Sequence, residues 1–178
     1  MVIWITGLSG AGKTTVCEAI YRLVKPSLPQ LVLLDGDVIR TVMGHDLGYE
    51  ERHRFIQIGR IQNLAKALSD QGLVVLVAAL YAHPDLLAWN RANIDGYVEV
   101  LIDAPLDLVM RRDPKGLYAK VAAGTMPDVV GVDIPWHRPD NADIVVDATR
   151  PAEPEETARR LIAAIPLLAG VAKTLETA

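Results

Sequence analysis

The chain has 178 residues, of which 51% are hydrophobic and 22% charged, and it carries a formal net charge of −4 at neutral pH. That length fits one domain spanning residues 1–178, and the composition excludes a disordered chain. The acidic balance gives no long-range pull toward nucleic acid or an anionic membrane, so an anionic ligand must be held by local positive groups.

The first predicted strand is the apolar run Val2–Ile5, and directly after it comes Gly7-Leu8-Ser9-Gly10-Ala11-Gly12-Lys13-Thr14. A strand before this motif and a helix-forming run after it, Lys13–Val24, are the context a P-loop requires. Main-chain N–H groups of Gly7, Ser9, Gly10, Ala11 and Gly12 can turn inward around phosphate oxygens, helped by the positive end of the helix. Lys13 would reach the β- and γ-phosphates, and Thr14, next to Thr15, would place its hydroxyl on Mg²⁺. Nucleotide and magnesium follow, but the motif does not separate kinases from GTPases or motor-type ATPases. Cys17, the single cysteine, lies on the following helix beside Val16 and Ile20 and reads as a core residue; no internal disulfide is available.

The second strand, Leu31–Leu34, ends in Asp35-Gly36-Asp37 and is expected to adjoin the P-loop strand. Carboxylates at the carboxyl end of a strand stand where open α/β sheets bind ligands. Phosphoryl transfer to a hydroxyl needs a magnesium-linked carboxylate and one that orients or deprotonates the acceptor, and Asp35 and Asp37 can divide these tasks. Asp37 has a second reading as the cap of the helix Asp37–Met43. Arg40, one turn on, would grip an anionic acceptor or pair with Asp37.

A long helix, Glu50–Gln71, leads to the strand Leu73–Ala78, which ends without the acidic pair of a conventional Walker B. The helix Asp85–Asn93, the strand Val98–Ile102 and the helix Leu106–Arg111 follow. No Asn-Lys-x-Asp guanine-reading motif occurs, which argues against a GTPase. The stretch 111–140 breaks the rhythm with prolines, glycines and charges, and reads as an irregular segment, a lid or binding loop, whose Arg111, Arg112, Lys115 and Lys120 can fold over a triphosphate. Within it, Trp136 would stack on a base or pack under the lid. After the last strand, Ile144–Val146, comes Thr149-Arg150, at a strand's carboxyl end where a donor base could be held, and a final helix runs from Pro154 to Leu168 or beyond. The alternation of strands and helices predicts an α/β fold with a parallel sheet covered on both faces.

His45, His53, His83 and His137 show no metal-ligand spacing, though Tyr81 and His83 follow a strand's carboxyl end and suit an acceptor contact. The N-terminus starts a strand with no basic leader, and the longest apolar runs are too short to span a bilayer, so the cytoplasm is the expected location.

These residues resemble the adenylylsulfate kinase family, which phosphorylates the ribose 3′-hydroxyl of adenosine 5′-phosphosulfate with ATP, usually in sulfate assimilation. Gly7–Thr15 matches the family's P-loop, and Leu34–Arg40 its Asp-Gly-Asp-x-x-Arg signature. Asp46-Leu47-Gly48-Tyr49, Ala104-Pro105-Leu106 and Arg112–Tyr118 also match, Gly131-Val132-Asp133 more weakly, and the similarity runs from about residue 1 to 147. The resemblance implies a P-loop kinase fold, a lid around Arg112–Tyr118 and a homodimer. It makes Asp35 the magnesium-linked or base carboxylate, Asp37 and Arg40 acceptor-site residues, Lys115 a lid cation near the phosphates, and Arg54 a contact to the acceptor nucleotide.

The departures fall on the acceptor side. The family's Asp, Asn and first paired Arg in its acceptor helix fall on His53, Gln57 and Gly59, its Ser-Pro-Tyr-Arg is replaced by Tyr81-Ala82-His83-Pro84, and a stacking phenylalanine falls on Val129. Stacking contributes about 1–3 kcal/mol per base, so this loss weakens an adenine site. Tyr49 still offers one aromatic face, with Gln57 in the same pocket. A nucleotide with a smaller ring and a small anionic group, such as cytidine diphosphoramidate, is therefore the alternative acceptor. A regulatory protein that binds nucleotide without catalysis is the rival from another class, and the pair Asp35 and Asp37 weighs against it.

Overall fold

The computed structural model describes residues 1–44, 46–150 and 152–176; His45 lies outside them. The elements are β1 (Val2–Thr6), α1 (Lys13–Val24), β2 (Leu31–Asp35), α2 (Gly36–Val42), α3 (Glu51–Asp70), β3 (Val74–Ala79), α4 (Pro84–Asn93), β4 (Tyr97–Asp103), α5 (Leu106–Arg112), α6 (Leu117–Ala122), β5 (Ile144–Asp147), α7 (Pro154–Ala164) and α8 (Pro166–Glu176). The strands form one parallel sheet in the order β2-β3-β1-β4-β5. Every residue of β1 and β3 is buried, which requires cover on both faces of the sheet. The cover comes from α1 packed with α7 and α8, and from α3 packed with α4.

The expectation that β2 adjoins β1 is corrected: β3 lies between them. The reason is in the strands' apolarity. β3 reads Val-Val-Leu-Val-Ala-Ala and is buried throughout, as a central strand must be, whereas Val32 and Leu33 of β2 are only partly buried, as an edge strand permits. Asp35 nevertheless reaches the P-loop, because β3 ends in two small residues and β2 turns into α2 at Gly36. A β-carbon at Gly36 would lie 3.2 Å from the Ala78 carbonyl oxygen.

Two further differences have local causes. The terminal helix breaks into α7 and α8 at Ile165, whose extended backbone (φ −94°, ψ 111°) is what a following proline imposes. The lid segment contains a helix, α6, started by a side chain: the Asp113 carboxylate accepts hydrogen bonds from the backbone N–H groups of Tyr118 (3.2 Å) and Ala119 (2.9 Å). Among the described residues no helix is long and apolar enough to cross a membrane.

Candidate active site

The loop between β1 and α1 wraps a cleft of about 410 Å³ whose lining includes Ser9, Gly10, Gly12, Lys13, Thr14 and Thr15 on one side and Asp35, Asp37, Arg112 and Lys115 on the other. Gly7 opens the loop at φ 152°, where a β-carbon would lie 2.5 Å from the Ile102 carbonyl oxygen, so only glycine lets the chain leave β1 this close to β4. Ala11 is buried, its N–H bonded to the Leu8 carbonyl at 3.1 Å, and closes the turn. Cys17, beneath, is fully buried, and burial raises its thiol pKa, so it has no part in the chemistry.

Lys13 Nζ donates to the Leu8 carbonyl at 2.9 Å, which holds the ammonium across the loop. Desolvation, partly offset by Asp37, pushes its pKa from 10.5 down to about 8. In the window between about 8 and 10.5 the folded protein binds fewer protons here than the unfolded chain, so this group makes folding less favourable at neutral pH than above the window. A triphosphate reverses that preference by favouring the charged form. Affinity for a non-hydrolysable ATP analogue is therefore expected to fall by about tenfold per pH unit as pH rises above 8. Calorimetric titration at several pH values checks this, and the dependence should vanish in Lys13→Met.

Asp35 does two jobs with its two oxygens. Oδ1 accepts from the N–H of Asp37 (2.9 Å) and of Val38 (3.4 Å), capping α2, and Oδ2 accepts from the Thr14 hydroxyl at 2.7 Å. The helix cap is therefore Asp35, and the capping reading of Asp37 is set aside because Asp37 already lies inside the helix. Asp37 instead takes a hydrogen bond of 2.6 Å from Lys115 Nζ, across the cleft from the lid. That bond raises the Lys115 pKa. Thr14 and Asp35 converge as a hydroxyl and a carboxylate, hard oxygen donors of the kind Mg²⁺ selects.

Arg112 Nη2 donates to the Ala148 carbonyl at 3.0 Å, beside Thr149. Thr149 spends its hydroxyl and its N–H on Asp147 Oδ1, at 2.6 and 3.0 Å, and so holds the turn after β5. The lid is seated by Tyr118, whose buried hydroxyl donates to the Ser9 carbonyl at 3.2 Å. Trp136 lies apart from this cleft: it lines a separate depression of about 300 Å³ with Leu8, Asp103 and Leu106. Asp103 is held there by Arg138 at 2.8 Å.

Arg40 does not pair with Asp37. Its Nη1 donates to the carbonyls of Leu47 (3.1 Å) and Gly48 (2.9 Å), and its guanidinium lies 4.6 Å from the centre of the Tyr49 ring. Arg54 donates to two more carbonyls, Tyr49 and Asp128, both at 2.7 Å. Burial and the neighbouring Arg40 lower its pKa. Arg54 has no carboxylate partner among the described residues, so an anion would be welcome there. One turn further along α3, Gln57 is 4% exposed and its Nε2 has no hydrogen-bond partner among the described residues. Arg54 thus ties Tyr49 to the segment at Asp128, with Gln57 one turn further along the same helix.

Sequence reasoning did not single out Glu51, which the structure places beside Tyr81 and His137. Its Oε1 accepts from the Tyr81 hydroxyl at 2.8 Å and lies 3.5 Å from His137 Nε2. His137 and His83 meet edge to face with ring centres 4.9 Å apart. The spacing of Glu51 from Arg54, one helical turn, was the available signal. Among the described residues no three His, Cys, Asp or Glu side chains are grouped to hold a metal ion. His53 serves locally, its Nδ1 accepting from the Gly48 N–H at 3.0 Å.

Comparison with known proteins gives a consistent picture. The sequence profile of the family Adenylylsulphate kinase matches residues 1–147. The chain is 40% identical over 144 residues to an adenylyl-sulfate kinase of Rippkaea orientalis, covering 81% of this chain and 80% of that protein. It is 36% identical over 146 residues to a cytidine diphosphoramidate kinase of Campylobacter jejuni, covering 82% and 85%. It is also 41% identical over 150 residues to the bifunctional enzyme NodQ of Azospirillum brasilense, covering 83% of this chain but only 24% of that much longer protein. Among solved structures, the Mycobacterium tuberculosis APS kinase CysC in complex with AMPPNP and APS superimposes with a TM-score of 0.81 at 37% identity, covering 90% of this chain and 94% of that one.

Proposed function

The chain belongs to the adenylylsulphate kinase family, phosphotransferases that act on a hydroxyl, and we propose from this premise that it moves the γ-phosphoryl group of ATP to the ribose 3′-hydroxyl of adenylylsulfate. The observation that carries the reading is the contact between Thr14 and Asp35 at 2.7 Å. It joins the phosphate loop to the acid pair after β2 across the end of β3, leaving Asp37 and Lys115 to face each other over the same cleft.

In this reading the loop N–H groups of Gly7 to Gly12, with Lys13 and Thr15, hold the triphosphate. Thr14 and Asp35 would hold Mg²⁺, which when bound neutralises charge on the β- and γ-oxygens. Asp37, whose carboxylate is exposed and is bonded to the lid lysine, orients the acceptor hydroxyl and takes its proton. Lys115 and Arg112 bring positive charge from the lid, and the turn at Thr149 borders the donor base. Arg40 shapes the loop that carries Tyr49. Tyr49 offers its ring to the acceptor base, while Arg54 and Gln57 hold the acceptor's anionic part.

Cytidine diphosphoramidate is a second acceptor reading, favoured by the 36% identity over 146 residues to a kinase of that name and consistent with a valine, Val129, at the position of the expected stacking phenylalanine. Turnover of adenylylsulfate, cytidine diphosphoramidate and simple nucleoside diphosphates with radiolabelled ATP tests both. Failure of every nucleotide acceptor would overturn the reading.

The α2 and α3 surface exposes Val38 (58%), Val42 (75%) and Phe55 (38%), an apolar area that supports a homodimer. Light scattering is expected to give twice the 19.4 kDa chain mass, and Val42→Lys is expected to halve it. A cytoplasmic location fits a chain whose one cysteine is buried and unpaired.

A further inference from the structure

We propose that Glu51 sets acceptor specificity by taking a hydrogen bond from an N–H group of the acceptor nucleotide. The inference rests on the nucleotide-kinase reading above. Glu51 opens α3 and stands three residues before Arg54, so both side chains leave the same side of the helix. Arg54, bonded to backbone carbonyls, marks where an acceptor anion is neutralised. An acceptor group that extends from that anion one turn toward the start of α3 would meet Glu51.

The carboxylate there is braced rather than loose. Tyr81, 3% exposed and placed just after the carboxyl end of β3, donates its hydroxyl to Oε1, and His137 approaches the same oxygen. Oε2 takes no hydrogen bond among the described residues, and the side chain is 48% exposed. The bond from Tyr81 holds the Glu51 carboxyl below its usual range, so it is ionised at neutral pH. An ionised carboxylate accepts hydrogen bonds and donates none. It repels a sulfate or phosphate oxygen and binds an N–H, the pairing by which acidic side chains read the amino group of cytosine. Two groups supply that chemistry: the exocyclic amine of an adenine or cytosine ring, and an amidate nitrogen on a terminal phosphate.

Two matched pairs of acceptors separate these sources. Adenylylsulfate is compared with its purine-riboside analogue, which carries hydrogen in place of the 6-amino group and has no ring N–H, and cytidine diphosphoramidate with cytidine diphosphate, which lacks the amidate. The parent enzyme is expected to favour the N–H-bearing member of one pair by about ten- to a hundredfold in kcat/KM, chiefly through KM. Glu51→Gln keeps an oxygen for Tyr81, so its unfolding midpoint should match the parent, while the preference disappears. The pair that responds identifies the source. Tyr81→Phe, which keeps the carboxylate, should retain the direction of the preference and provides a reading should Glu51→Gln fold poorly. Equal losses on both members of each pair, or no preference in the parent, would overturn the role of Glu51 alone. Turnover of none of the four by the parent would overturn the acceptor reading and this inference with it.

Discussion

Asp35→Asn is expected to lower kcat by about a thousandfold, equivalent to about 4 kcal/mol of transition-state stabilisation, while the fold and ATP binding survive. The expectation comes from the division of labour between the two oxygens. Oδ1 caps α2 through the N–H groups of Asp37 and Val38, and asparagine caps a helix about as well as aspartate. Oδ2 faces the Thr14 hydroxyl, and in the proposed reading the charge there would be required to hold Mg²⁺ against the triphosphate. The substitution therefore removes charge without removing the cap. Single-turnover kinetics, titration with a non-hydrolysable ATP analogue and a thermal melt measure the three quantities separately. Unchanged turnover would remove Asp35 from the chemistry, and absence of turnover in the parent as well as the variant, with ATP analogue still bound, would support the rival of a nucleotide-binding protein without catalysis. Asp35→Ala makes a useful contrast, because it also loses the cap, at a cost of about 1 kcal/mol.

Arg54→Met is expected to raise the acceptor KM by about ten- to a hundredfold, the loss of one charge-assisted contact, with the KM for ATP unchanged. Its effect on stability should be small. A guanidinium drawn out of water without a carboxylate partner is costly, as its lowered pKa shows, and removing it relieves that cost. Against this, the carbonyls of Tyr49 and Asp128 lose their donors. The two effects oppose each other, so the unfolding midpoint should move little while acceptor use collapses. Arg54→Lys keeps the charge but not the planar fork that bridges the two carbonyls, and it should fall between parent and methionine variant. A large drop in melting temperature with unchanged acceptor KM would recast Arg54 as a structural tie between α3 and the segment at Asp128.

The candidate site divides into a part that local sequence dictates and a part that it does not. Gly7 to Thr15 form a phosphate loop whatever surrounds them, because the strand before, the helix after and the glycines between are contiguous in the chain. The order of elements and the position of the acid pair after β2 were legible for the same reason. The break before α8 and the helix α6 were not expected, although each has a local cause in the chain: the residue preceding Pro166, and the Asp113 carboxylate that accepts from the N–H groups of Tyr118 and Ala119.

What only the tertiary structure decided is which groups meet. Lys115 and Asp37 are 78 residues apart and bond at 2.6 Å, Arg54 finds the Asp128 carbonyl 74 residues away, and Glu51 is fixed by Tyr81. No periodicity encodes such pairs. They depend on the order in which strands assemble, and that order placed β3 between β2 and β1 because a strand apolar on both faces is most stable at the centre of a sheet.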